Sequence, residues 1–397
     1  MARIAMSKVD LSPLFTPHSV KSLLLGNRFA VPAMQRAMSK DGAPLPSLAQ
    51  YYRKRAEGGF GLVISESTAI DHGSATRQPT AMWIRPDTAE RWRQCVEEVK
   101  SAGGHMLLQL WHEGAMRAAE GNDAWSDYPT ISPSGLVRKG EASGRAATIE
   151  DLASLREAYV RSALLAQEIG FSGVEIHAAH GYLLDQFLWA ETNLRDDEYG
   201  GGDLRNRVRF PAEVVAAVRA AVGQDFIISV RLSQWKTTSF DATVVNDPQE
   251  FEILLGTLRQ AGADMFNIST RRFDRPEWPG SELSLAGWAK KLTDATILAV
   301  GSVGIKGDIT DMLMHRESAP QLMASLKEAQ RRFLAGEFDL LAIGRSSIAD
   351  PDFVTKLQQG RFDEVRPFSL ALLKDHMDSW EPSVEIKDSG TAEDAGS

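Results

Sequence analysis

Eight short apolar runs recur along the chain, and segments with the amphipathic pattern of helices separate them. Several of these runs are apolar throughout, which is typical of parallel β-strands that are covered on both faces. The pattern therefore predicts strands at residues 28–33, 60–65, 106–111, 173–177, 226–232, 265–269, 297–301 and 340–344.

The segments between the apolar runs carry helix signals. Leu48, Tyr51, Tyr52 and Ala56 recur at helical spacing, which places them on one face of a helix. The glycine pair at 58–59 follows them and is predicted to end this helix, because glycine adopts a positive φ without strain.

A second helix is predicted to begin at a capping box formed by Thr148 and Asp151 and to run to Gly170. Alternating strands and helices favour an α/β fold with a parallel sheet, and eight such units favour a single (β/α)8 TIM barrel, here over residues 10–370. An open, doubly wound sheet would favour a glycine-rich turn after the first strand. Residues 28–39 contain no glycine, so we prefer the barrel.

Long loops are predicted after the second, third, fourth and sixth strands, at residues 69–85, 113–148, 177–204 and 271–283. Loops that follow the strands of such a barrel lie on the face that carries the active site. The sequence therefore predicts a functional site at this end of the barrel.

The composition and charge of the chain argue against nucleic acids and membranes as binding partners. The net charge is −9 and no long Lys/Arg run occurs, so nucleic acid is not an expected partner. No apolar run is long enough to cross a membrane, and we expect a cytoplasmic protein. The lone Cys95 is expected to be a buried apolar side chain. Residues 380–397 are acidic and rich in Ser, Gly and Ala, which predicts a disordered tail.

Residues 177–182 (HAAHGY) carry the sharpest chemical signal, and they begin where the fourth strand is predicted to end. Imidazoles and a phenol can converge on one substrate oxygen, where they donate hydrogen bonds or a proton. A metal pair or two structural histidines is the alternative interpretation. A metal site would need a third ligand, and no companion motif stands out.

Three motifs resemble the old yellow enzyme family of flavin-dependent ene-reductases. They are residues 177–188 (HAAHGYLLDQFL), residues 193–201 (NLRDDEYGG) and residues 109–112 (QLWH). They occur in the order found in the family, and the resemblance extends from Leu14 to Phe362. It implies flavin mononucleotide (FMN) as the cofactor, NADPH or NADH as the electron donor and an α,β-unsaturated carbonyl compound as the substrate. It implies no metal.

The resemblance also implies roles for three catalytic residues. His177 and His180 would donate hydrogen bonds to the carbonyl oxygen of the enone, which makes its β-carbon electrophilic. FMN would deliver hydride to that carbon, and Tyr182 would protonate the α-carbon. Donors placed where negative charge develops stabilise a transition state, so this assignment is physically consistent.

The flavin itself is expected to contact residues from several strand ends. By resemblance, Gln109 would bond the pyrimidine edge of the ring system and Arg231 would lie near N1 and O2. The run Pro32, Ala33 and Met34 and the backbone of Ser67 would lie beside the ring. An ion pair at the mouth of the barrel is the alternative role of Arg231.

Two glycine-containing loops are expected to hold the phosphate. Gly301, Ser302 and Gly304 follow the seventh strand, and Gly344 and Arg345 follow the eighth. Barrels frequently bind phosphate with these two loops. Glycine lets backbone N–H groups approach the anion, and arginine supplies a fork of donors.

The chain departs from the family at several positions. Met34 stands where the family usually has Thr or Cys, and a thioether donates no hydrogen bond. Ser67 stands where the family often has Ala or Gly, and Arg117 is displaced relative to the family's arginine. The arginine- and tryptophan-rich loop at 271–283 is larger than expected, and it could cap the substrate, meet a nicotinamide phosphate or pack at a surface or subunit contact.

Other functions remain open at this stage. A flavin-dependent amine dehydrogenase or N-demethylase could use the same barrel, and a non-catalytic flavin protein or an enzyme acting on transfer RNA is less favoured. The net charge of −9 argues against an enzyme that acts on transfer RNA. The oligomeric state is also left open.

Overall fold

The computed structural model describes residues 9–118 and 127–373. Eight parallel strands, numbered β1 to β8 in chain order, pair in sequence, and β8 pairs with β1 to close a barrel. The predicted (β/α)8 TIM barrel is confirmed. The strands are β1 Phe29–Val31, β2 Leu62–Ile64, β3 His105–Trp111, β4 Gly173–His180, β5 Ile227–Lys236, β6 Met265–Ser269, β7 Thr296–Val300 and β8 Leu340–Ala342.

Eight helices, α1 to α8, follow the strands in turn. Three further helices, Leu183–Leu188, Ile309–Leu313 and Arg345–Ala349, lie in the loops after β4, β7 and β8. The eight helices are α1 Pro46–Glu57, α2 Ala89–Ser101, α3 Ile149–Ile169, α4 Leu204–Val222, α5 Pro248–Gln260, α6 Leu285–Leu292, α7 Leu322–Leu334 and α8 Phe353–Gln358.

Local signals at the helix ends act as predicted. The Thr148 side chain accepts from the Asp151 backbone, and the Asp151 side chain accepts from the Thr148 backbone, so the capping box of α3 is present. Gly170 ends α3 with φ of +105°, and Gly59 follows α1 with φ of +100°. A left-handed residue lets the chain leave the helix while its last carbonyls remain bonded.

Buried strands explain why the apolar runs predicted them. Every residue of β4 is buried, because the barrel interior covers one face and the helices cover the other. A hairpin formed by His18–Val20 and Leu23–Leu25 packs its Val20 and Leu25 against the residues inside the barrel. The carboxyl ends of the strands, where the long loops lie, are left to form the functional face.

Two strand ends were placed wrongly from sequence. β4 runs on to His180 rather than ending at His177, and β5 runs on to Lys236 rather than ending at Leu232. The pairing of the two strands continues beyond His177 and Arg231, and the extensions meet where His180 lies opposite Lys236. Backbone pairing between neighbours therefore carries both strands through polar residues that the apolar pattern could not include.

The remaining strands are short and lie in the loops and in the segments outside the barrel. Thr68–Ala69 pairs with Met82–Trp83 and with the end of β3, and three further two-stranded pairs lie outside the barrel. In the described part of the chain, no helix is both long and apolar enough to cross a membrane. The predicted acidic tail at residues 380–397 lies outside the described residues.

Candidate active site

A cavity of about 510 Å³ opens at the carboxyl ends of the strands. Sites for small molecules and cofactors typically occupy ~300–1,000 Å³, so this volume suits a ligand of cofactor size. Twelve of the fourteen residues predicted for the site line the cavity, from the ends of six strands. They are Pro32, Ala33, Met34, Ser67, His177, His180, Tyr182, Arg231, Gly301, Ser302, Gly344 and Arg345.

His177, His180 and Tyr182 converge on one wall of this cavity. The ring centroid of His177 lies 5.2 Å from that of His180 and 5.2 Å from that of Tyr182. Side chains three residues apart in a regular strand point to opposite faces. Here the register of β4 shifts between Ala178 and His180, and His180 adopts φ of +64°. This irregularity brings both histidines to the same cavity.

Backbone hydrogen bonds hold the turn that carries these residues. The His180 N–H donates to Ser233 Oγ at 2.9 Å, and the Thr237 N–H donates to the His180 carbonyl at 3.2 Å. The Gly181 N–H donates to Asp185 Oδ2 at 2.6 Å. The position of His180 is therefore fixed by the extended end of β5 and by the short helix Leu183–Leu188 that follows β4.

Burial makes all three side chains neutral near pH 7. It lowers the pKa of His177 and the pKa of His180 well below the usual value of 6.5, and the positive charge of Arg231 acts in the same direction. Burial and the nearby Glu113 raise the pKa of Tyr182 to about 12. Each neutral imidazole can donate one hydrogen bond, and the phenol keeps its proton.

Arg231 is a buried cation, and one of its hydrogen-bond donors has no partner among the described residues. Its Nη1 donates to the Ala33 carbonyl at 3.2 Å, and its Nη2 donates to Ser269 Oγ at 3.3 Å. Its Nε is buried and has no hydrogen-bond partner among the described residues. A buried donor without a partner is costly, so this cation fits a ligand that presents an electron-rich edge, as the pyrimidine edge of a flavin does.

Gln109 lies behind the cavity wall rather than in it. Its Nε2 donates to Glu175 Oε1 at 2.7 Å, and its Oε1 accepts from the Ser67 hydroxyl at 2.8 Å. Glu175 also accepts from Asn267 and Ser229, so a fully buried carboxylate anchors the group. Gln109 orients Ser67 at the cavity surface, and its direct contact with a flavin stays a prediction.

Arg345 lines the cavity from the start of the loop after β8. Its Nη2 donates to Ser302 Oγ at 2.7 Å, and its Nη1 donates to the Asp308 carbonyl at 2.9 Å. Gly344 precedes it and also lines the cavity. These contacts hold the guanidinium between the loops after β7 and β8, the two loops that were predicted to bind a phosphate.

Glycine is required where the loops approach each other closely. A Cβ on Gly301 would lie 2.5 Å from the backbone nitrogen of Phe273, so no larger residue fits without a shift. Gly304 has φ of +83°, and a Cβ there would lie 2.8 Å from Ser346 Oγ. Gly304 therefore shapes its loop, but it does not line the cavity.

Trp235, Thr237 and Ser269 are among the cavity residues that were not singled out from sequence. The Trp235 ring centroid lies 4.4 Å from that of His180, at an interplanar angle of 34°. Trp235 and Thr237 lie at the extended end of β5, beyond the predicted strand. Ser269 is the last residue of β6, and its position at a strand end is the one sequence signal that could have indicated it.

The two aromatic side chains of the loop at 271–283, Phe273 and Trp278, pack against the hydrophobic core. The Trp278 ring lies between those of Phe251 and Trp288, with centroid distances of 5.9 and 5.6 Å. Arg272 forms an ion pair with Asp274. Packing therefore accounts for most of the unexpected aromatic content of the loop, whereas Arg271 at its start lines the cavity.

His112 and the displaced Arg117 have structural roles. The His112 Nδ1 accepts from the Gly114 N–H at 2.9 Å, and its Nε2 lies 2.9 Å from Ser74 Oγ. Arg117 is fully buried and donates to Thr130 Oγ1 at 3.1 Å. Both side chains brace the loop after β3 and neither lines the cavity.

Comparison with known proteins gives a family match over most of the chain. The model of the NADH:flavin oxidoreductase / NADH oxidase family matches residues 13–364. The chain is 28% identical over 368 residues to an NADH oxidase of Thermoanaerobacter brockii, covering 89% of this chain and 52% of that protein. It is 36% identical over 234 residues to 12-oxophytodienoate reductase 7 of Oryza sativa subsp. japonica, covering 56% of this chain and 58% of that protein.

The chain thus spans a little over half the length of these two curated relatives. Among solved structures, it is similar to morphinone reductase in complex with tetrahydroNAD, with 28% sequence identity and a TM-score of 0.72. That match covers 87% of this chain and 90% of the other.

Proposed function

Because the chain belongs to the NADH:flavin oxidoreductase / NADH oxidase family, we propose that it uses FMN and NADPH or NADH to reduce the activated C=C bond of an α,β-unsaturated carbonyl compound. One observation carries the proposal. Neutral His177 and His180 and protonated Tyr182 share one cavity with the buried cation Arg231.

The two histidines would hold the carbonyl oxygen of the substrate. Each is neutral and can donate one N–H to an oxygen that gains negative charge as the reaction proceeds. FMN, when bound, supplies hydride to the β-carbon. Tyr182 supplies the proton that the α-carbon needs, and its raised pKa keeps that proton in place until the carbon becomes basic.

Two groups of cavity residues suit the two ends of FMN. The unpartnered Nε of Arg231 suits the electron-rich pyrimidine edge, and a cation there would stabilise the anionic reduced flavin. Arg345, with the backbone of Gly301, Ser302 and Gly344, would hold the phosphate. Met34 and Ser67 would contact the ring between these ends.

An anaerobic stopped-flow experiment tests the proposal. The flavin absorbance of the purified protein is recorded with NADPH or NADH, and the reduced protein is then mixed with 2-cyclohexenone. Reduction followed by enone-dependent reoxidation is the expected result. A protein that binds no FMN would overturn the cofactor assignment.

The same apparatus separates ene-reduction from amine chemistry. An N-methyl amine is mixed with the oxidised protein in the absence of nicotinamide. Bleaching of the flavin by the amine, together with no reoxidation by cyclohexenone, would replace the proposal with an amine dehydrogenase or N-demethylase.

A further inference from the structure

Three polar side chains, one each from β4, β5 and β6, form a series of hydrogen bonds along the cavity wall. Arg231 Nη2 lies 3.3 Å from Ser269 Oγ, and Ser269 Oγ lies 2.9 Å from His180 Nε2. Ser269 and His180 are 89 residues apart in sequence, and both are buried. These hydrogen bonds thus link the Arg231 cation to His180 through Ser269.

The direction of these hydrogen bonds follows from the donors available. Arginine carries only N–H donors, so the Ser269 oxygen must accept from Arg231. The Ser269 hydroxyl hydrogen then needs an acceptor, and His180 Nε2 is the one within reach among the described residues. If His180 donated instead, the Ser269 hydroxyl hydrogen would have no partner among the described residues, which is the costlier arrangement for a side chain this deep in the cavity wall.

The other nitrogen of His180 is free to act on a ligand. Nδ1 has no hydrogen-bond partner in the described part of the chain, and it is not among the buried unpartnered atoms there. Since His180 lines the cavity, Nδ1 is open to it. A hydrogen on Nδ1 would therefore be available to a bound oxygen.

Trp235 holds the ring of His180 in the orientation that this arrangement needs. Its ring packs on His180 at 4.4 Å, and its Nε1 donates to the Ser269 carbonyl at 3.2 Å. Trp235 therefore contacts both partners of the hydrogen bond between Ser269 and His180. Neither ring rotation nor displacement of Ser269 is possible without disturbing this packing.

We propose that Ser269 is a positioning residue that keeps His180 in the neutral tautomer with its proton on Nδ1, so that His180 presents an N–H donor to the cavity. The consequence for catalysis rests on the proposed function, whereas the tautomer itself does not. With this tautomer, His180 is a hydrogen-bond donor to the substrate oxygen rather than an acceptor that would repel it.

The tautomer can be read directly by NMR on the FMN-bound protein. Protein labelled with ¹⁵N at histidine gives long-range ¹H–¹⁵N correlations whose pattern distinguishes a proton on Nδ1 from one on Nε2. The chain has eight histidines, and a His180→Asn variant identifies the signals of His180. A proton on Nδ1 is expected in the wild type, and a proton on Nε2 would overturn the proposal.

Two variants test the role of the hydroxyl. Ser269→Ala is expected to shift His180 toward the Nε2–H tautomer and to slow enone-dependent reoxidation by roughly ten-fold or more, because one of two oxygen donors is lost. Ser269→Thr keeps a hydroxyl and is expected to restore both the tautomer and most of the rate. An alanine variant with an unchanged His180 tautomer would contradict the positioning role.

The outcomes separate this inference from the proposed function. A wild type that has the Nδ1–H tautomer but ignores cyclohexenone would leave the inference standing and remove the ene-reductase. A wild type that reduces cyclohexenone but has the Nε2–H tautomer would overturn the inference and leave the ene-reductase proposal standing.

Discussion

The ammonium of Lys236 lies 2.8 Å from a carboxylate oxygen of Asp185, and both side chains are fully buried beneath the turn that carries the catalytic candidates. Asp185 also accepts from the Gly181 N–H, and Lys236 pairs through its backbone with His180. Burial raises the pKa of Asp185 and lowers the pKa of Lys236, while their mutual attraction opposes both shifts. The pair ties β5 to the turn that follows β4.

Asp185→Asn should destabilise the protein strongly. The variant leaves the Lys236 ammonium buried without a charged partner, which typically costs ~3–5 kcal/mol in free energy of unfolding. Denaturant unfolding measures the loss. Glu57→Gln is the matched control, because its ion pair with Arg53 is solvent-exposed and worth at most ~1 kcal/mol. Equal losses in the two variants would show that the buried pair has no special role.

Glu66→Gln should stabilise the protein above neutral pH. Glu66 is buried and accepts from the Arg36 N–H at 3.1 Å, and burial raises its pKa from 4.5 to about 7. A group whose pKa is raised on folding contributes stability that is full below its unfolded pKa and is lost as the pH rises through the folded pKa. The wild type should therefore lose about 2.5 kcal/mol relative to the variant between pH 5 and pH 8.

The free energy of unfolding of the wild type and of Glu66→Gln, measured at both pH values, checks this prediction. The pH 5 measurement is the internal reference, since the carboxyl is largely protonated there in the folded state. A difference between the two proteins that stays constant with pH would mean that Glu66 is ionised in the folded state throughout.

Met34→Thr should raise the reduction potential of the flavin. Met34 lines the cavity and its thioether donates no hydrogen bond, whereas threonine would place a hydroxyl donor there. A hydrogen bond worth about 1 kcal/mol to the reduced form corresponds to about 20 mV for a two-electron couple. A redox titration measures the shift, and Met34→Leu is the control that adds no donor. An unchanged potential in the threonine variant would sink the idea.

Tyr182→Phe should slow reoxidation of the flavin by the enone without slowing reduction of the flavin by NADPH. The phenol is the proposed proton donor, and positioned proton transfer contributes on the order of 10²–10⁴ in rate. Reoxidation of the reduced flavin by cyclohexenone should slow by about that factor, while reduction by NADPH should change little. Stopped-flow traces of both steps provide the measurement. Equal slowing of both would point to a disturbed flavin site instead.

Enone-dependent reoxidation should be nearly independent of pH between about pH 7 and pH 9. The pKa values of His177 and His180 lie well below 6.5, and the pKa of Tyr182 is about 12, so none of the three changes protonation in this window. A rate profile of the wild type tests this directly. A pronounced inflection near pH 7 that His177→Gln abolishes would show a histidine titrating in the working site.

The sequence predicted the barrel because its signals are local. Apolar runs such as 265–269 report burial of a strand on both faces, and the capping box at Thr148 and Asp151 marks a helix start with neighbouring residues alone. Parallel strands in a barrel place their carboxyl ends together, so residues at strand ends, including Arg231 and Arg345, could be assigned to one cavity before any contact was known.

Other features depended on residues that are distant in the chain. The ends of β4 and β5 were missed, because polar residues such as His180 and Lys236 join a strand only through the backbone of the neighbour. The bonds of Gln109 to Glu175 and to the Ser67 hydroxyl likewise join residues that are far apart in the sequence, while its contact with a flavin stays a prediction.

The barrel, its functional end and the residue types at that end could be predicted from the sequence, because hydrophobic periodicity and strand order follow from each segment alone. The contacts between the polar groups depend on the folded chain. The pairing of Ser269 with His180, of Lys236 with Asp185 and of Trp235 with the His180 ring depends on the register between strands and on one irregularity in β4. A local pattern carries no record of register, since that is set by the packing of the whole barrel.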